Sequence, residues 1–133
     1  MTDQEFLHAF ATAELPPQQF DHKAHLRLAY LMLERHPRDE AGELIGQQIR
    51  NYTVQWEASD KYNHTLTLAA VYVMAHFMER KPGLSFEELL HHFPKLLTGF
   101  QGLVGQHYSR DLLNSSEAKK NFLQPDKTPF EPA

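Results

Sequence analysis

The sequence predicts an all-α, single-domain helical bundle of five to seven helices, with an extended C-terminal tail over residues 124–133. Three observations carry this expectation. Apolar residues recur at spacings of three and four along most of the chain. Cap and stop residues punctuate those stretches where helices should begin and end. No segment sustains the period-two alternation of a half-buried strand, and no Asn-Gly or Asp-Gly hairpin turn occurs.

The elements follow in order. Phe6, Leu7, Phe10 and Ala11 mark a first helix over about residues 3–13, stopped by Leu15-Pro16-Pro17. Asp21 is a good N-cap for a second helix over about 22–36, and Pro37 ends it. Asp39-Glu40 open a third with the acidic first turn that the helix dipole favours, and Leu44, Ile45, Ile49, Tyr52 and Trp56 form its apolar positions. Ala58-Ser59-Asp60 break that helix and offer caps for a fourth over about 60–80, closed by Lys81-Pro82-Gly83. Ser85 followed by Glu88 is a capping-box pattern for a fifth, which Pro94 kinks or ends. Gly99, Gly102 and Gly105 predict a weak helix or a loop. Short helices are expected over Ser109–Leu113 and Ser116–Asn121, before a tail with three prolines between Pro125 and Ala133. No internal repeat or linker is visible.

Composition narrows the function. The chain has 133 residues, one domain's worth, with 41% hydrophobic and 23% charged residues. Lys plus Arg number 13 and Asp plus Glu 17, a net charge of −4, with no basic cluster; this argues against an electrostatic nucleic-acid binder. The absence of cysteine excludes disulfides, thiolate metal sites, iron–sulfur clusters and a cysteine nucleophile. MTDQEFLHAF has no secretory character, and the apolar stretch Leu66 to Phe77 is too short and mixed to span a bilayer. The cytoplasm is the expected location. No Lys-Ser/Thr follows a glycine loop and no Gly-x-Ser-x-Gly occurs, so neither a P-loop nor a hydrolase elbow is present.

Nine histidines stand out. His36, His91 and His92 fall in last turns, where partial positive charge is favourable, and His8 lies off the apolar stripe. His22 and His25 lie three apart on the stripe that continues to Ala29, Met32 and Leu33; His64 heads the stripe Leu68, Val71, Ala75 and Met78. If the second, third and fourth helices run up, down and up, the second and fourth are parallel, and these imidazoles start from one end of the bundle. Axes roughly 8–10 Å apart can be bridged by two imidazoles through a metal. Burial and the helix N-terminus both favour neutral imidazole, which is the metal-binding and general-base form. A His22/His25/His64 site with an open fourth position suits a divalent transition metal, zinc, copper or iron, and a bound water made nucleophilic for chemistry on a small molecule. His-x-x-His is a looser template than His-Glu-x-x-His. Two other readings stand beside it. One is a metal-free pocket holding a small ligand through imidazoles and Tyr108. The other is a structural or interaction protein whose histidines are satisfied in the core.

Leu15-Pro-Pro-Gln-Gln-Phe20-Asp21-His22-Lys-Ala-His25-Leu26, then Tyr62-Asn63-His64-Thr65-Leu66-Thr67 and His107-Tyr108-Ser109-Arg110, resemble the pattern of a family of small bacterial all-helical proteins; Pro125 and Asp126 extend it. Here Asn63 separates Tyr62 from His64, where that pattern has Tyr directly before His. The resemblance implies a helical fold and the same histidine constellation, and no activity.

Tyr108 is the candidate catalytic residue, as hydrogen-bond donor or proton relay, with a packed ring and a backbone partner as its plainer role. Thr65 and Thr67 fit bonds to the preceding turn, and Arg27 and Arg110 fit either an anionic substrate or ordinary ion pairs. Glu57 and Asp60 fit metal ligation or capping, and Trp56 fits the core. The expected partners are a small molecule, neither nucleic acid nor membrane, and a second copy of the chain, for which Phe122 to Pro129 is a candidate docking segment.

Overall fold

The computed structural model describes residues 1–132. Among them are nine α-helices and two 3₁₀ turns, and no strand: α1 Asp3–Ala11, α2 His22–Arg35, α3 Arg38–Gln55, α4 His64–Arg80, α5 Phe86–His92, α6 Lys95–Thr98, α7 Phe100–Gly105, α8 Arg110–Leu113 and α9 Ser116–Lys120, with the turns at Pro17–Gln19 and Ser59–Lys61. The bundle class is as expected, but the last third is cut finer. Pro94 separates α5 from α6, and Gly99 separates α6 from α7.

The expected up–down–up order holds for α2, α3 and α4. The α-carbons of Gly42 and Gly46 give the direction: Gly42 faces Leu68 and Tyr72, whereas Gly46 faces His64 and Tyr62. Rising residue numbers on α4 therefore meet falling numbers on α3. The two glycines lie four apart on one helical face and let the backbones approach. Tyr52, near the end of α3, packs on Phe20, just before α2, so that pair is antiparallel as well. Phe10, Leu28, Val71, Met74, Leu89 and Leu96 are fully buried at the centre.

Two helices end in a way the sequence concealed. Ala13 (φ 60°) and Glu57 (φ 54°) take the left-handed conformation usually given to glycine. After α1, Glu14 N–H donates to Ala9 O at 2.8 Å and Ala13 N–H to Phe10 O at 3.0 Å. After α3, Ala58 N–H donates to Thr53 O at 2.7 Å and Glu57 N–H to Val54 O at 3.2 Å. Both are Schellman caps built without glycine. Trp56, expected in the core, is 42% exposed; its indole N–H donates to Ala13 O at 2.9 Å and ties the two caps together.

The fourth helix was expected from about residue 60 and starts at His64, because Ser59–Lys61 form a 3₁₀ turn and Asn63 provides the cap. After α9 the chain runs without helix and packs back on its own bundle. The buried Thr65 hydroxyl donates to Asn121 O at 2.6 Å and accepts from Leu123 N–H at 3.1 Å. Lys127 and Thr128 N–H donate to His107 O and Gln106 O. Phe122 and Phe130 both meet Tyr72 edge-on. The segment Phe122 to Pro129 thus packs partly on this chain, with Gln124 and Asp126 to Pro129 exposed.

Candidate functional site

Asp21 caps α2, its carboxylate accepting from Ala24 N–H at 2.9 Å. That fixes His22 and His25 in the first turn, where they take different partners. His22 donates from Nε2 to Leu96 O at 2.9 Å, and its ring lies 5.2 Å from Phe100. His25 donates from Nδ1 to Asp21 O at 2.8 Å and stacks on Phe20 with centroids 3.7 Å apart. A carbonyl only accepts, so these bonds assign the proton of each ring. His25 keeps an exposed edge, but the atoms packed on its ring push its pKa below the ordinary value; the Asp21 carbonyl opposes that shift and His22 adds to it.

Asn63 caps α4 in the same manner, accepting from Leu66 N–H at 3.0 Å. A 2.6 Å hydrogen bond joins Tyr62 hydroxyl and His64 Nδ1. The phenol is the natural donor to a neutral imidazole, and desolvation followed by the nearby Arg50 charge keeps His64 below its ordinary pKa, with Glu43 opposing. Gly46 makes room for this pair: a β-carbon there would lie 3.1 Å from His64 Cε1 and 3.3 Å from the Tyr62 oxygen.

The three imidazoles do not converge. His25 reaches α3 through Phe20, which meets Tyr52, whereas His64 lies beside Gly46. Residues 46 and 52 are about 9 Å apart along the α3 axis. Parallel helices were therefore not enough; their starts also had to be level. Among the described residues, no group of three or more His, Cys, Asp or Glu is placed to hold a metal ion, so the expected His22/His25/His64 centre is not assembled.

Tyr108 is fully buried and donates its hydroxyl to Leu123 O at 2.7 Å. Burial drives its pKa well above the ordinary phenol value, with Tyr72 and Asp126 adding smaller effects. Its hydroxyl braces the tail against the bundle. Ser109 caps α8, and its own N–H donates to Asp126 at 2.8 Å, so the Tyr-Ser and Pro-Asp pieces of the sequence pattern meet in one structural joint. Arg27 pairs with Asp3 at 2.8 Å, and Thr67 bonds back to Asn63 O. Glu57 forms the α3 cap and Asp60 lies in the 3₁₀ turn.

The concave feature lies elsewhere. A groove of about 550 Å³ opens between α2, the end of α4 and the start of α5. Tyr30, Met78, Leu84, Phe86 and Leu89 supply apolar surface; Asp3, Glu34, Lys81, Ser85 and Glu88 supply polar edges. Tyr30 hydroxyl donates to Leu84 O at 2.6 Å and holds the α4–α5 connection in place. A second depression of about 690 Å³, lined by Lys23, Leu90, His91, His92 and Leu97, shares Leu84, Glu88 and the α5 start with it. Sequence reading missed the groove. Lys81-Pro82-Gly83 and Ser85-Phe86-Glu87-Glu88 registered only as stop and start signals, and nothing in them reports that Tyr30 and Glu34 stand opposite.

Set against known proteins, the chain matches no protein-family model, no curated protein and no solved structure. Among the described residues, no helix is long and apolar enough to cross a membrane.

Proposed function

We propose that this chain is a metal-free binding module for a small molecule, with the α2–α4–α5 groove as its site. One observation carries the reading: the groove's volume of about 550 Å³ falls inside the range of ligand clefts, and its lining mixes apolar side chains with polar ones. At the histidine end each imidazole has one nitrogen bonded within the chain, and the three take separate partners.

A thermal-shift screen with a chelator present tests this. Chelator alone leaves Tm unchanged, and some library compounds raise it, since a ligand at 100 times its Kd adds about 2.7 kcal/mol. Leu84→Trp, which fills the groove, removes those shifts. Stoichiometric zinc or copper that is lost in His64→Ala, together with a Tm that falls on chelation, would sink the proposal.

A further inference from the structure

We propose that the C-terminal strap, residues 126–132, docks on a second copy of this chain and seats its Phe130 between Tyr72 and His107 of that copy. The strap lies on its own bundle as a bound peptide would. Lys127 and Thr128 N–H donate to His107 O and Gln106 O at 3.0 and 3.2 Å. Thr128 O accepts from His107 Nδ1 at 2.7 Å, and Glu131 O accepts from Arg38 at 2.6 Å. Main-chain bonds thus hold its path, and one side chain is the anchor. Half-buried Phe130 stacks on His107 with centroids 4.1 Å apart and meets Tyr72 edge-on at 5.2 Å. Pro125, Pro129 and Pro132 restrict the free strap to extended conformations, so docking has little order to impose. The bundle holds the preceding chain at Leu123, whose N–H donates to Thr65 and whose carbonyl accepts from Tyr108. Beyond it Gln124 and residues 126–129 are exposed, and an exposed terminal segment is where local opening costs least. Opening frees the site and its fitted ligand on the same molecule. Two open copies can therefore exchange straps about a two-fold axis with the same contacts kept. The tethered strap competes at an effective concentration on the order of millimolar, so the closed monomer prevails in dilute solution and exchange in concentrated solution. The site shares no residue with the α2–α4–α5 groove.

Complementation between two full-length variants tests this. Asp126→Ala/Phe130→Ala releases the strap and leaves the site, whereas His107→Ala impairs the site and leaves the strap. In sedimentation, each variant alone is expected to be monomeric and their equimolar mixture to contain a one-to-one heterodimer. A labelled peptide of residues 124–132 reads the site directly. It should bind the strap variant one-to-one and the parent chain about tenfold more weakly, because the parent's own strap competes. A peptide that binds both chains equally, or neither, overturns the proposal. Peptide binding to the strap variant with no heterodimer in the mixture overturns the second copy as the occupant.

Discussion

Phe20-Asp21-His22 and Tyr62-Asn63-His64 are two versions of one local construction. In each, a helix closes on a left-handed residue, a 3₁₀ turn follows, and an Asx side chain caps a new helix whose first residue is histidine. They differ in the cap, Asp21 against Asn63, and in one oxygen on the aromatic residue. Phe20 has none, so its ring stacks on His25, and both α2 histidines turn to backbone carbonyls. Tyr62 has a hydroxyl, and it holds His64 directly at 2.6 Å. The difference teaches that a histidine at a helix start is governed by what its nearest aromatic neighbour can offer. Position on an apolar stripe does not decide its role.

The comparison breaks most sharply at Gly46. Gly46→Ala forces a β-carbon against both Tyr62 and His64 and should cost about 1–3 kcal/mol in urea denaturation. Gly42→Ala, four residues away with its nearest contact at an ordinary 3.5 Å, should instead stabilise by up to about 1 kcal/mol through helix propensity. Equal effects at the two sites would remove the special fit claimed for the α4 start.

Tyr62→Phe converts the second version into the first, and His22→Ala empties the first of its bond to Leu96. Each should lose about 1 kcal/mol, the net worth of one hydrogen bond, read as a shift in the denaturation midpoint at constant slope.

Acidity should act on both versions in the same direction. Burial holds His25 and His64 below 6.5, so the unfolded chain takes up their protons more readily than the folded one. Their contribution is complete above that value and drains as pH falls below it. The double variant His25→Gln/His64→Gln should flatten the fall of Tm between about pH 7 and 5.5. A slope unchanged from the parent would assign that fall to other groups.

The smallest effects lie in the caps that precede the two starts. Ala13→Gly and Glu57→Gly each relieve a left-handed residue costing roughly 1–2 kcal/mol, less the extra chain entropy of glycine, for a net gain of about 0.5–1 kcal/mol.

Local rules made much of the fold legible. Asp21 and Ser85 announced their helices as caps do, and Pro37 and Lys81-Pro82-Gly83 ended theirs. The parallel course of α2 and α4 followed from short connections. What stayed hidden depends on distance in space. The 3₁₀ turn Ser59–Lys61 carried no signal of where it sets the α4 start, and Ala13 and Glu57 gave no glycine signal for their caps. The Gly42/Gly46 contact belongs to a partner helix, and the groove draws residues from four separate segments.

The hydroxyl of Thr65 finds its partners 56 and 58 positions further along the chain. During synthesis the first turn of α4 emerges long before those partners exist. The buried end of the bundle is therefore closed by a stretch that leaves the ribosome well after α4. Closure of so distant a contact is slow relative to local helix formation, so a nascent chain shows the α3–α4 pair before its sealed form.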